Sequence, residues 1–125
     1  MQKEAEQHLR LTAAIFDSTA DGIFVTNLSN RIQRVNPAFT KITGYTAEEV
    51  YGKKTAFLAS GRHDKHFYQD MWNSITKTGH WQGEIWNRKK DGEVYVAWLS
   101  ISAITDERGQ PLQYMSRLTD YSRLK

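Results

Sequence analysis

The sequence predicts an α+β fold in which an antiparallel sheet carries helices. Three observations predict it. The first is the stretch Trp81–Ile104, where two β-rich runs, Trp81–Arg88 and Glu93–Ile104, flank Lys89-Lys90-Asp91-Gly92. An Asp-Gly pair between such runs is a strong hairpin signal. The second is the alternation of side chains along those runs. Ala97, Leu99, Ile101 and Ala103 share one face, and Val96, Trp98, Ser100 and Ser102 share the other. On the first run, Trp81, Gly83, Ile85 and Asn87 oppose Gln82, Glu84, Trp86 and Arg88. One face reads as core, with Gly83, Ala97 and Ala103 small enough to leave room for a bound group. The other is mostly polar but carries Trp86 and Trp98. The third observation is a set of helices with their own start and stop signals.

Glu4–Phe16 has helical periodicity, with Leu9, Ala13 and Phe16 on one stripe and Leu11 and Ile15 beside it. Gly22–Thr26 and Arg31–Val35 are β-rich runs joined by Asn27-Leu28-Ser29-Asn30, which has turn chemistry. Asn36 then caps a helix and Pro37 opens it, because proline has no N–H to satisfy there. Gly44 closes that helix. Thr46-Ala47-Glu48-Glu49 is a capping box for a second short helix, which ends near Tyr51-Gly52. His66–Thr78 reads as a long helix, with Phe67, Met71, Ser74 and Ile75 on one stripe, Tyr68 and Trp72 alongside, and Gly79 as its stop. Leu112–Thr119 is the last strand, placing Tyr114, Ser116 and Leu118 on one face.

Composition narrows the function classes. A length of 125 residues suits one domain with a core of its own. The absence of cysteine excludes disulfides, thiolate metal sites and cysteine nucleophiles, and is compatible with the cytoplasmic location expected here. The net charge of +3 is spread along the chain, so no nucleic-acid partner is expected. No stretch approaches the roughly 20 apolar residues of a membrane span, and the N-terminus lacks the apolar segment of a signal peptide.

The run from Asp21 through VNPAFTKITGYTAEEVYGK, the later GHWQGEIWNRKKDGEVYVAWLSI and the closing YMSRLTDYS together resemble PAS domains, over about residues 12–122. The likeness is greatest to those found upstream of bacterial diguanylate cyclases, cyclic-di-GMP phosphodiesterases and sensor kinases. It implies the PAS fold: a five-stranded antiparallel sheet of order 2-1-5-4-3 with helices on one face and an N-terminal helix. Residues 1–18 would be that helix, acting as linker or dimerisation element. Residues 19–122 would be the PAS domain, and 123–125 the start of a C-terminal linker within a longer protein. Asp120-Tyr121-Ser122 occupies the place of the family's Asp-x-Thr exit motif, with Ser122 keeping the hydroxyl.

A pocket between sheet and helices is implied, and Phe24, Thr26, Asn36, Phe39, Ile85, Asn87, Leu99, Tyr114 and Ser116 would line it. It would hold a small metabolite or be filled by the protein's own side chains. FAD is the alternative. The redox-sensing FAD domains of nitrogen-fixation regulators share a tryptophan before the first long strand and an Asn-Arg-Arg-Lys-Asp turn, matched here by Trp81 and Asn87-Arg88-Lys89-Lys90-Asp91. Trp81 would stack on the ring and Asn87 would bond its edge. Thr55 stands where light–oxygen–voltage domains carry their reactive cysteine, which excludes covalent photochemistry. Haem is disfavoured, because the family's histidine position falls near Tyr68. A metal at His63-Asp64-Lys65-His66 is disfavoured too, since Asp64 fits a helix cap and a fourth ligand is missing. On the other face Leu9, Phe16, Trp86 and Trp98 are the expected interface, covered by the N-terminal helix or a second subunit and rimmed by Arg88, Met115 and Arg117. No nucleophile–base pair can be named. The resulting expectation is a non-catalytic sensory and dimerisation module that regulates a cyclic-di-GMP or kinase output domain.

Overall fold

The computed structural model describes residues 14–121. Residues 14–18 are helical and form α1. The remainder of the expected helix, Leu9 included, lies outside the described residues. The elements that follow are β1 (Gly22–Thr26), β2 (Ile32–Val35), α2 (Pro37–Thr43), α3 (Ala47–Val50), a 3-10 turn (Thr55–Leu58), α4 (Lys65–Thr78), β3 (His80–Arg88), β4 (Val94–Thr105) and β5 (Pro111–Asp120). They make one antiparallel sheet of order β2-β1-β5-β4-β3. The fold class and strand order are those the sequence implied.

Local chemistry sets the helix limits. Asn36 caps α2 by accepting from Phe39 N–H, Pro37 occupies the first turn, and Gly44 takes the left-handed conformation at φ 83° that ends it. Thr46 and Glu49 satisfy each other's backbone N–H groups in a complete capping box at α3. Asp64 caps α4 by accepting from Phe67 N–H, and Gly79 ends it. The β3–β4 loop closes with a hydrogen bond from Lys89 N–H to Glu93 O at 2.8 Å. Lys90 N–H also donates to Thr43 O at 2.8 Å, which ties the hairpin tip to the end of α2.

The core lies between the concave face of the sheet and the helices. It gathers Phe24 of β1, Ile32 of β2, Phe39 and Ile42 of α2, Val50 of α3, Met71 and Ile75 of α4, and Ile85, Tyr95, Ala97, Leu99, Ile101 and Leu118 of the central and edge strands. Fully burying side chains of the size of Phe39 and Leu118 contributes about 1.5–3 kcal/mol each. Gly22 lets α2 pack closely on β1: a Cβ there would stand 3.2 Å from Phe39 Cα, and the helix would have to shift by a few tenths of an ångström.

The alternation predicted for β3 and β4 holds. Ile85 and Asn87 on one strand, and Tyr95, Ala97, Leu99 and Ile101 on the other, are buried on the concave side. Trp86 and Trp98 are half-buried on the convex side. The expectation that Gly83, Ala97 and Ala103 leave room for a bound group is corrected. The Trp81 indole lies over Gly83, where a Cβ would meet Trp81 Cζ2 at 2.9 Å, and none of the three lines the cavity described next.

Candidate functional site

A cavity of about 320 Å³ lies between the concave sheet face, α4 and the segment 54–59. Its floor is Phe24, Ile85, Asn87, Leu99, Ile101, Tyr114 and Ser116, from four strands. Tyr68, Met71 and Trp72 of α4 form the roof, and Thr55, Ala56, Leu58 and Ala59 form a side. Asn30 and Lys54 stand at the mouth. Asn30 adopts a left-handed conformation at φ 62°, and its Nδ2 donates to Thr55 Oγ1 at 2.6 Å, which fixes the β1–β2 turn against the 3-10 turn. Trp72 and Tyr114 meet edge to face at 5.3 Å and close one end.

The lining is apolar with a few convergent polar groups, which is the chemistry of a small-ligand site. Asn87 and Ser116 are only 5% and 4% exposed. The Ser116 hydroxyl has no hydrogen-bond partner among the described residues, although it borders the cavity. Asn87 lies opposite Tyr95 in the β3–β4 register. The Tyr95 hydroxyl is buried near Asn87 without reaching hydrogen-bond geometry. Burial and the nearby Asp120 carboxylate push its pKa up, so it stays protonated. Burial also raises that of Tyr68 in the roof. The lining holds no carboxylate, histidine or cysteine, and its one cation among the described residues is Lys54. Such a wall can bind and orient a molecule; it offers no nucleophile with a base beside it.

Six of the expected site residues meet around this cavity: Phe24, Ile85, Asn87, Leu99, Tyr114 and Ser116. Four do not line it. Asn36 is 1% exposed and turned into the α1–β1–α2 junction, where it makes four hydrogen bonds. Phe39 is wholly buried and packs edge-on against Phe24 at 5.5 Å. Thr26 is buried with its hydroxyl unpartnered among the described residues. Trp81 is turned onto Gly83 and Phe67, the ring centroids of Trp81 and Phe67 lying 5.8 Å apart. Sequence reasoning misses Lys54, Ala56, Leu58 and Ala59, because their segment has no periodic pattern, and it reads Asn30 as a turn residue but not as a site residue. The roof residues Tyr68, Met71 and Trp72 are legible as a helical stripe but not as site residues.

The convex face holds the tryptophans as expected, and their neighbours are new. Arg62 lies over the Trp86 ring at 4.2 Å, and Tyr121 lies 6.2 Å from Trp98. Phe16 sits apart from both, its ring 4.4 Å from the Arg34 guanidinium carbon of β2. Of the expected rim, Met115 is exposed, Arg117 pairs with Asp21, and Arg88 donates to Ser60 O. No group of three or more metal-ligating side chains occurs among the described residues. No helix among them is long and apolar enough to cross a membrane.

Comparison with known proteins fits this geometry. A nitrogen fixation regulatory protein of Klebsiella oxytoca is 26% identical over 117 residues, 94% of this chain and 24% of that protein. The aerotaxis receptor of Escherichia coli is 32% identical over 99 residues, 76% of this chain and 19% of that protein. The chain thus spans about a quarter or less of these curated relatives. The PAS domain of a Colwellia psychrerythraea protein superposes with a TM-score of 0.85 at 25% identity, covering 92% of this chain and 98% of that one. An RNA-binding light-oxygen-voltage receptor shares the fold, with a TM-score of 0.84 at 22% identity over 93% of this chain and 34% of that one. The family model described as PAS domain matches residues 20–123, and with the strand order, the concave cavity and the relatives it places the chain in that family: it belongs to the PAS domains, the sensory modules of regulatory proteins.

Proposed function

We propose that this chain is the ligand-sensing PAS module of a longer cytoplasmic signal-transduction protein, with an output domain of the cyclic-di-GMP or kinase class. The observation that carries the reading is the cavity of about 320 Å³ with the Ser116 hydroxyl on its floor and no partner for it among the described residues. Buried polar groups are normally satisfied, so a hydroxyl left open to a cavity suits a ligand that supplies the partner. The volume lies at the small end of ligand sites, which favours a compact, partly apolar metabolite. Its polar groups would meet Asn87 and Ser116, and its body would lie between Tyr114, Trp72 and Leu99. The module would also self-associate through its convex face.

Bound FAD is the second reading, supported by Asn87 on the cavity floor. Trp81, the other residue offered to the isoalloxazine ring, is engaged with Gly83 and Phe67. The lining therefore fits a smaller molecule better.

Native mass spectrometry of the purified chain and a thermal-shift screen of small metabolites test the proposal. A bound compound raises the melting temperature by mass action, and Ser116→Val should abolish that rise while leaving the domain folded. A panel in which no compound shifts the wild type counts against it. Tightly held haem or a stoichiometric metal overturns it. A yellow protein with flavin absorbance moves the assignment to FAD.

A further inference from the structure

Residues 59–64 run as a strap along the outer edge of β3. Ala59 pairs with Asn87 in an antiparallel bridge. Ser60 O accepts from the Arg88 guanidinium at 3.0 Å. The Arg62 guanidinium carbon stands 4.2 Å from the Trp86 ring on the convex side. His63 Nε2 accepts the Trp86 backbone N–H at 2.9 Å. Leu58 and Ala59 line the cavity, so one short segment touches both the concave site and the convex tryptophan. β3 is the edge of the sheet, and its outward N–H groups need covering.

The His63 ring is held in place. It stacks on Phe67 with centroids 3.8 Å apart and planes 15° from parallel, and it meets the cavity-lining Tyr68 edge-on at 6.1 Å. A ring nitrogen accepts only when it carries no proton. This hydrogen bond therefore requires the neutral ring with its proton on Nδ1. In the imidazolium both nitrogens donate, and Nε2–H would face the Trp86 N–H.

We propose that His63 is a pH-sensitive latch: neutral, it fastens the 59–64 strap to β3, and protonated, it releases the strap, withdrawing Ala59 from the cavity wall and Arg62 from Trp86. Burial and a neighbouring charge act on the ring in opposite directions. Asp64, next in the chain, favours the imidazolium. Arg62 within the strap and Arg88, bound to Ser60, are the cations of this edge. Glu84 lies two residues from Trp86 on the convex face, and Phe67, Tyr68 and Trp86 present neutral surfaces. Burial outweighs Asp64 and lowers the His63 pKa below its ordinary 6.5. The latch is therefore fully engaged above that ordinary value, and its contribution is lost as pH falls through the lowered one.

Regulation of ligand access by this device rests on the cavity reading above; the latch itself does not. Amide hydrogen exchange at Trp86, normalised for the intrinsic pH dependence, decides the matter when read beside the NMR titration of the His63 ring. Protection at Trp86 should fall about tenfold, the worth of one hydrogen bond, as the ring protonates. His63→Gln, whose side-chain oxygen accepts at any pH, should flatten the profile. His63→Ala should lose the protection throughout, whereas His66→Gln and His80→Gln should behave as wild type. Unchanged protection at Trp86 while the wild-type ring titrates overturns the latch and leaves the ligand site standing. A cavity that takes up no metabolite sinks the ligand site and leaves the latch to its own measurement.

Discussion

Asn36 uses every hydrogen-bonding position of its amide. Oδ1 accepts from Ile23 N–H at 2.8 Å and Phe39 N–H at 2.9 Å, while Nδ2 donates to Phe16 O at 3.0 Å and Asp21 O at 2.9 Å. One buried side chain thus joins the end of α1, the entry to β1 and the start of α2. Asn36→Ala should cost about 2–4 kcal/mol, a lost cap plus buried groups left without partners. Asn36→Asp is the sharper variant. It keeps both acceptors but turns a carboxylate oxygen toward two carbonyl oxygens, so it should destabilise at least as much at neutral pH. Acidification should recover part of that loss, since a protonated acid can donate once. Urea unfolding at two pH values checks this, and an Asn36→Asp variant as stable as wild type at neutral pH would refute it. The capping role was legible, because Asn-Pro ahead of an apolar stripe has a local cause. The ties to Phe16 and Asp21 span 20 and 15 residues, and no local pattern encodes them. That is why a residue expected at the cavity proves to be a joint.

At the scale of elements, what had a period was legible and what lacked one was not. Strands β3 and β4 and helix α4 fall within a residue or two of their expected limits, because alternation and the i, i+4 stripe have local physical causes. The 3-10 turn Thr55–Leu58 and the 59–64 strap have neither signal, yet they supply a whole side of the cavity. Long-range polar links between elements were equally hidden. Lys90 at the hairpin tip forms an ion pair with Glu49 of α3, joining segments 41 residues apart. The Lys90 ammonium first, and the Thr46 backbone N–H second, hold the Glu49 carboxyl at about 2, down from 4.5. A depressed carboxyl stabilises the fold above its ordinary pKa and loses that contribution as pH falls through its folded value. Thermal melts should therefore show a decline between pH 4.5 and about 2 to which Glu49 contributes. Lys90→Met should shrink that decline, and so should raised salt, because the pair is exposed and screened. A decline identical in wild type and Lys90→Met would rule the pair out as its source.

The sheet has two unlike faces, and this was the most legible feature, since strand alternation sorts the tryptophans from Leu99 before any contact is known. The concave side carries the cavity. The convex side carries Trp86 and Trp98, half-buried, with Met115 exposed on the neighbouring strand. The aromatic neighbour of Trp98 among the described residues is Tyr121, with the ring planes tilted 34° and centroids 6.2 Å apart. A half-buried indole, on a face that also exposes a methionine four residues farther along β5, has the make-up of an interface residue, a position where tryptophan is enriched and truncation typically costs about 2 kcal/mol or more. Trp98 pairs with Thr119 of β5 and Glu84 of β3, so an arginine there has room to point outward and the sheet need not rearrange. Trp98→Arg should therefore keep the fold and the melting transition while weakening self-association by about 30-fold or more, which a loss of about 2 kcal/mol implies. Sedimentation equilibrium of both proteins over a range of concentrations measures it. A wild type that stays monomeric at the highest concentration refutes the convex interface. A Trp98→Arg variant that dimerises as well as wild type moves the interface off this ring. If dimerisation is lost with the fold intact, the strap gives the two faces a shared element, since Arg62 covers Trp86 and Ala59 lines the cavity. Coupling through it is reciprocal by linkage: a ligand that tightens the dimer must bind the dimer more tightly than the Trp98→Arg monomer.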